Sequence, residues 1–429
     1  MYEMKREDYK YQRYLQILEE ELVPAMGCTE PIAIAYGAAK AREILGAIPE
    51  RIEVSVSGNI IKNVKSVVIP NTGGLKGIEA AAVAGVIAGD AGKRLEVIAE
   101  VSAYKRESIR EYLRTHGVKV MPAEGDSLFE IGIRLIHKES YVLLRIARYH
   151  TNIVRIEKDG NIIFEQLEKA EADGVEEENL LNVKDIVAFA DALRIEDIYP
   201  VIEPQIRYNY AIAEEGIEGG YGAGVGSVIL AHDGDGIRNR AKAMAAAGAD
   251  ARMGGCESPV IIVSGSGNQG IAASVPVITY AKYLDSDQET LVKALAVSNL
   301  MTIYQRLQIG KLSAFCGAVN AGCASGTGIA YLMGGRYEEI AHTIVNSLAI
   351  VSGIICDGAK PSCAGKIAAS VDAGILGYQM YEDGRQFRGG DGIVTNDVDG
   401  TIRNVGKLGR DGMRETDKEI ISIMMNCVG

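Results

Sequence analysis

The chain has no tryptophan, five histidines and ten prolines among its 429 residues. So few histidines leave little material for a His-centred catalytic triad. Scarce proline beside 50 glycines points to closely packed helices and to backbone that can approach a ligand. Positive charge is also in deficit: 45 Lys and Arg face 57 Asp and Glu, for a net charge of -12 and a pI near 5.1. Neither nucleic acid nor an anionic membrane finds a basic footprint in such a chain. The start, Met1 to Asp8, is dense in charge and has no apolar h-region, so a cytoplasmic location is expected. The longest uncharged run, from Leu312 up to Arg336, carries Ser313, Asn320, Ser325, Thr327 and several glycines. It is too polar for lipid and reads as a buried helix or helix–loop.

What remains is an ordinary globular composition, 47% hydrophobic and 24% charged. A chain of this length has room for two or three domains and a large core without disulfides. An amphipathic helix is expected over 8–23. It is broken by Pro24-Ala25-Met26-Gly27-Cys28-Thr29-Glu30-Pro31, and an Ala-rich helix follows over about 30–46. Alternation then predicts strands at 51–57, 64–69 and 95–102, and near 117–121, 139–148 and 152–166, with helices at 78–89 and 105–115. An acidic stretch from Glu165 to Glu178 reads as a surface connection, and long Ala/Gly/Ile/Val helices dominate from Val183 onward. The expected fold class is therefore α+β: a mostly helical catalytic body, residues 1–48 and 180–429, with an inserted α/β domain, residues 49–179, that contains a mixed sheet.

The seven cysteines include two C-x6-C-A segments, Cys316 to Ala324 and Cys356 to Ala364. A seven-residue step on a helix returns nearly to one face, so Cys316 and Cys323 could look into one site. Gly358 and Pro361 deny Cys356 and Cys363 a common helix and place them on a loop. Structural zinc, an iron–sulfur cluster and plain buried thiols all remain open on spacing alone, because the pattern is neither C-x2-C nor that of a ferredoxin.

Three segments narrow this choice. Met26-Gly27-Cys28-Thr29-Glu30-Pro31, Ser264-Gly265-Ser266-Gly267-Asn268-Gln269-Gly270, and Cys356-Asp357-Gly358-Ala359-Lys360-Pro361-Ser362-Cys363-Ala364-Gly365-Lys366 together resemble the L-cysteine desulfidase family. That family is grouped with the oxygen-labile iron–sulfur L-serine dehydratases, and the resemblance runs over nearly the whole chain. It implies a 4Fe-4S cluster on Cys316, Cys356 and Cys363 with one iron left open. It also implies Cys28 as acid/base, with L-cysteine converted to pyruvate, ammonia and hydrogen sulfide. Cys323 and Cys427 fall outside the ligand pattern, and Cys256 reads as a buried thiol. An L-serine dehydratase with the same cluster is the alternative, and a non-enzymatic iron–sulfur or zinc sensor is the alternative of another class.

Cys28 precedes a helix whose free N–H groups and positive end favour a thiolate. Glu30 opposes this and could instead cap the helix or meet a substrate ammonium group. The loop Ser264, Ser266, Asn268, Gln269 offers donors suited to a carboxylate, and Asn71-Thr72-Gly73-Gly74 forms a second loop of that type. A plain turn is the competing reading for both. Lys360 and Lys366 flank Cys363 and could offset a cluster's charge. The partners expected are a small amino-acid substrate, no nucleic acid and no membrane, with self-association left open.

Overall fold

A computed structural model of the chain describes residues 4–123, 127, 129–166, 180–310 and 313–426. It opens with α1 (Tyr9–Glu21), the short β1 (Pro24–Met26) and α2 (Thr29–Leu45). The α/β region follows: β2 (Arg51–Val56), α3 (Gly58–Val64), α4 (Gly77–Ala88), α5 (Ala103–Thr115), β3 (Val118–Pro122), β4 (Glu130–His137), β5 (Ser140–Ala147), β6 (Ile153–Lys158) and β7 (Asn161–Glu165). These strands make one six-stranded sheet in the order β3-β2-β4-β5-β6-β7. β2 and β3 are parallel and every other neighbouring pair is antiparallel, so the sheet is mixed.

Helices then take over: α6 (Val183–Ala192), α7 (Ile195–Glu218), α8 (Val225–Asp233) and α9 (Ile237–Met253). After β8 (Pro259–Ile261) come α10 (Gly267–Tyr283), α11 (Gln288–Ile309), α12 (Gly317–Leu332), α13 (Tyr337–Val351), α14 (Ser362–Glu382), α15 (Val398–Lys407) and α16 (Arg414–Asn426). The architecture is α+β, a helical body with a mixed sheet. None of the described helices is long and apolar enough to cross a membrane.

Glycine abundance has a packing use in the body. A Cβ on Gly326 of α12 would stand 2.5 Å from the Gly374 carbonyl of α14. Only paired glycines let these two backbones approach so closely.

Two hydrophobic cores divide the chain. One gathers α1 and the helices from 181 onward; the other gathers the inner face of the sheet, α4 and α2. Helix α2, grouped by sequence with the helical body, buries Ile32, Ile34 and Leu45 in the sheet's core. A third, small cluster holds Cys28, Val67, Met253 and Cys363, where elements of both regions meet.

Three local expectations differ from what is found. Residues 64–69 form no strand: α3 occupies 58–64, and Val68 makes a single bridge to Lys76. The apolar run 95–102 forms no strand either, since the carbonyls of Ile98 and Ala99 accept from the Asn71 side chain, not from a ladder partner. Conversely β4, unassigned from the sequence, is central and buried. Most of the acidic Glu165–Glu178 connection and Cys427 lie outside the described residues.

Candidate active site

The cysteines are brought in by three chain segments. The first is a turn. Gly27 has φ +65°, and a Cβ on it would stand 2.3 Å from Cγ of Pro70. Glycine is thus required twice, for conformation and for room. The turn leaves Cys28 in extended backbone as the N-cap of α2. β1 pairs with β8, which fixes this turn beside the glycine loop that enters α10.

The second and third segments are laced to each other. The amide of Cys316 donates to Ile354 O at 3.1 Å, that of Cys356 donates to Ala314 O at 2.6 Å, and Phe315 bridges Ile355. This two-rung ladder holds Cys316, the N-cap of α12, against Cys356. Cys363 joins from the first turn of α14, its thiol donating to Gly358 O at 3.7 Å. Gly358 itself, at φ +95°, lies on the Lys62 carbonyl, which a Cβ would meet at 2.3 Å.

Electrostatics within the group are uneven. The Cys316 thiol donates to Cys356, which pushes Cys316 up and brings Cys356 down, with Lys62 and Lys366 adding to the second effect against burial. Burial raises Cys363. Cys28 is pushed up to about 12, by burial first, with Glu30 and Cys363 adding and Arg252 opposing. The helix-end argument for a thiolate at Cys28 therefore meets a larger opposing effect: the thiol is only 1% exposed, and desolvation disfavours the anion.

Positive charge surrounds the three thiols. Lys62 is buried and paired with Asp417 of α16 at 2.5 Å. Lys366 pairs with Asp357 at 2.5 Å, and Lys360 with the same carboxylate. Arg306 of α11 has a buried Nε without a partner, and its guanidinium feels the charges of Cys356, Cys316 and Glu30, while burial drives its pKa down. Among the described residues, no three His, Cys, Asp or Glu side chains close around a single ion. Thiols remain donors for soft metals, and cations disposed around them balance a negatively charged group.

The other expected residues divide. Glu30 accepts from Asn63 Nδ2 at 3.0 Å and stands within charge range of Cys28. Ser266 caps α10 by accepting from the Gln269 amide. Asn268 accepts from Arg252 Nη1 at 3.1 Å, and Gln269 leaves its Oε1 buried and unpaired. Gln269 reaches the cysteines: a Cβ on Gly317, next to Cys316, would stand 3.0 Å from its amide. Ser264, at φ +48°, and Gly265 shape the loop, whose Gly265 carbonyl accepts from Thr29.

The other loop behaves differently. Asn71 spends its amide on Ile98 and Ala99, Thr72 donates to Ile69 O at 2.7 Å, and Gly73 and Gly74 are exposed. These bonds are spent within the turn and its neighbourhood. Cys323 departs as well. Cys316 lies outside the helix as its cap, so the seven-residue rule does not apply, and Cys323 is buried deeper in α12 against Ser347.

Sequence reasoning missed Arg252 and Arg306. Neither belongs to a motif, and an arginine in an Ala-rich helix reads as surface. The only clue was the apolar neighbourhood, Ala243 to Met253 in α9, where little surface remains for a cation.

Comparison with known proteins gives a consistent family. A family model described as serine dehydratase alpha chain matches residues 92–422. A UPF0597 protein of Desulfitobacterium hafniense is 62% identical over 424 residues, 99% of each chain. UPF0597 proteins of Lachnoclostridium phytofermentans and Fusobacterium nucleatum are 49% and 43% identical, over 97% of this chain and 100% and 99% of theirs.

Proposed function

The chain belongs to the serine dehydratase alpha chain family, and on that premise we propose that it is a carbon–sulfur lyase that eliminates sulfide from L-cysteine. The observation that carries this reading is the packing of Cys28 with Cys363 at the seam between the two cores, with Cys316 and Cys356 within charge range of Cys363. Cys316, Cys356 and Cys363 would hold a 4Fe-4S cluster, and Lys62, Lys366 and Arg306 supply compensating positive charge. With three thiolate ligands, such a cluster supplies an iron with an open position, a Lewis acid for a departing sulfur.

The chain's own residues do the rest. Cys28 exchanges a proton at Sγ with the substrate's Cα. Arg252 and the N-terminal end of α2 work against the burial that keeps Cys28 a thiol, and so lower the cost of the thiolate that removes it. Glu30 faces the same thiol and takes the substrate ammonium. Burial keeps bulk water from the reacting carbon, which strengthens each of these charges. In balance, the Cα–H and Cβ–S bonds break and a Cα=Cβ bond forms. Hydrogen sulfide leaves, and the aminoacrylate takes a proton at Cβ and then water, yielding pyruvate and ammonia.

L-Serine is the second reading, favoured by the family's description; hydroxide would then leave in place of sulfide. The test is anaerobic reconstitution with iron and sulfide. The visible spectrum is recorded, and sulfide and pyruvate are assayed from L-cysteine beside L-serine. Cluster absorbance with sulfide release is expected. Turnover of serine alone would change the substrate, and a cluster or bound zinc without lyase activity would make the protein a sensor. Cys28→Ala should keep the absorbance and lose about a hundredfold to ten-thousandfold in turnover, the usual worth of a positioned acid or base. Normal turnover in that variant would remove Cys28 from the reaction.

A further inference from the structure

Among the described residues, Arg252 has no carboxylate as a counter-charge. It sits at the C-terminal end of α9 and is 4% exposed. Its Nη2 donates to Gly27 O at 2.7 Å and its Nη1 to Asn268 Oδ1 at 3.1 Å. Both acceptors are neutral, its Nε is buried without a partner, and no carboxylate among the described residues pairs with it. A buried guanidinium left in this state is costly, so an anion is expected to complete it.

The chain packs closely on the guanidinium. Gly267 faces the guanidinium, and a Cβ there would stand 2.3 Å from Nε and 2.7 Å from Cζ. Asn268 is spent on holding the arginine: its Oδ1 accepts from Nη1, and its Nδ2 donates to Met253 Sδ at 3.7 Å. Arg252 holds the carbonyl of Gly27, the residue before Cys28, and Glu30, two residues after Cys28, is held by Asn63. A cation and an anion flanking one thiol match the two ends of an amino-acid zwitterion. A guanidinium also presents N–H groups in the plane that a carboxylate needs.

From this we infer that Arg252 binds the α-carboxylate of the amino-acid substrate, with Asn268 and Gly267 as its positioning residues. The inference rests on the lyase reading for the identity of the ligand, and its test separates the two.

L-Alanine keeps both charged ends and has no leaving group; ethylamine is the same molecule without the carboxylate. Isothermal titration of the cluster-loaded chain, under argon, compares them. The wild type should bind L-alanine about thirtyfold or more tightly than ethylamine, the usual loss when one side of a buried charge pair is removed. Arg252→Met should bring L-alanine down to the ethylamine level. Should that variant not fold, Arg252→Lys keeps the charge and loses the planar fork; its preference for L-alanine over ethylamine should fall about tenfold while the melting temperature stays near wild type. Equal binding of the two ligands by the wild type would overturn the inference. So would variants in which kcat and melting temperature fall together while the preference for L-alanine persists. An Arg252-dependent preference in a chain that eliminates nothing from cysteine or serine would retain the inference and remove the lyase reading. Turnover with an Arg252-independent preference would do the reverse.

Discussion

The two glycine loops look alike in the sequence and share their opening geometry. Asn71 and Ser264 both take a left-handed φ, +59° and +48°, and a glycine with φ above +70° follows each within two residues. Their polar side chains then go opposite ways. Asn71 and Thr72 turn back on their own neighbourhood, closing the carbonyls of Ile98, Ala99 and Ile69, and the loop's tip faces solvent. Asn268 instead reaches across to Arg252, and Gln269 carries an unpaired oxygen toward the start of α12. The difference lies in what each loop enters. The first leads to α4 along the sheet, whereas the second opens α10 inside the helical body, where Asn268 and Gln269 are buried. Buried and unpaired polar atoms mark a place for a ligand; satisfied ones mark a finished turn.

The sharpest way to break this comparison is Gly267→Ala. The new methyl would meet Arg252 Nε at 2.3 Å and Val260 Cγ2 at 2.8 Å, both in a packed interior. The expected outcome is displacement of Arg252 and a loss in kcat/KM of about a hundredfold, corresponding to about 2.7 kcal/mol, with an overpacking cost of ~1–3 kcal/mol in stability. Steady-state kinetics beside thermal melting would check it, and unchanged kinetics would show that the second loop is no more functional than the first. Next in size is Asn71→Ala. It removes two hydrogen bonds to backbone carbonyls and places alanine in left-handed backbone, so ~2–4 kcal/mol of stability should go. Turnover per folded molecule should not change; a raised KM for the amino acid would return the first loop to the site.

How far the sequence could foresee this depended on the kind of order involved. The helical body, the mixed sheet and several strands followed from periodicity, because each residue's environment there repeats along its own element. Cys316 and Cys323 show where that logic ends. Seven residues apart, they would share a face if both were helical, but Cys316 is the cap and Cys323 lies in the helix interior. The ladder between residues 314–316 and 354–356, the docking of α2 on the sheet and the burial of Arg252 and Arg306 are all contacts between distant segments. They leave no local pattern. The same holds for Asn71 and Thr72: composition says which donors a loop owns, not which carbonyls stand beside them.

The smallest expected effect completes the contrast, because Gly74 and Gly267 are glycines for opposite reasons. Gly74 has φ +90°, and a methyl added there would meet nothing within 4 Å, so conformation alone demands glycine. Gly267 has no left-handed φ and is short only of room. Gly74→Ala should therefore cost ~1–2 kcal/mol, read as a lower denaturation midpoint, and leave turnover intact. Gly74→Asn should recover part of that loss, since asparagine tolerates left-handed backbone better than alanine. No such rescue is open at position 267, where asparagine is larger than the methyl that already fails. A melting series over Ala and Asn at both positions thus separates strain from space. Recovery by asparagine at 267, or its absence at 74, would show that the reasons have been assigned to the wrong glycines.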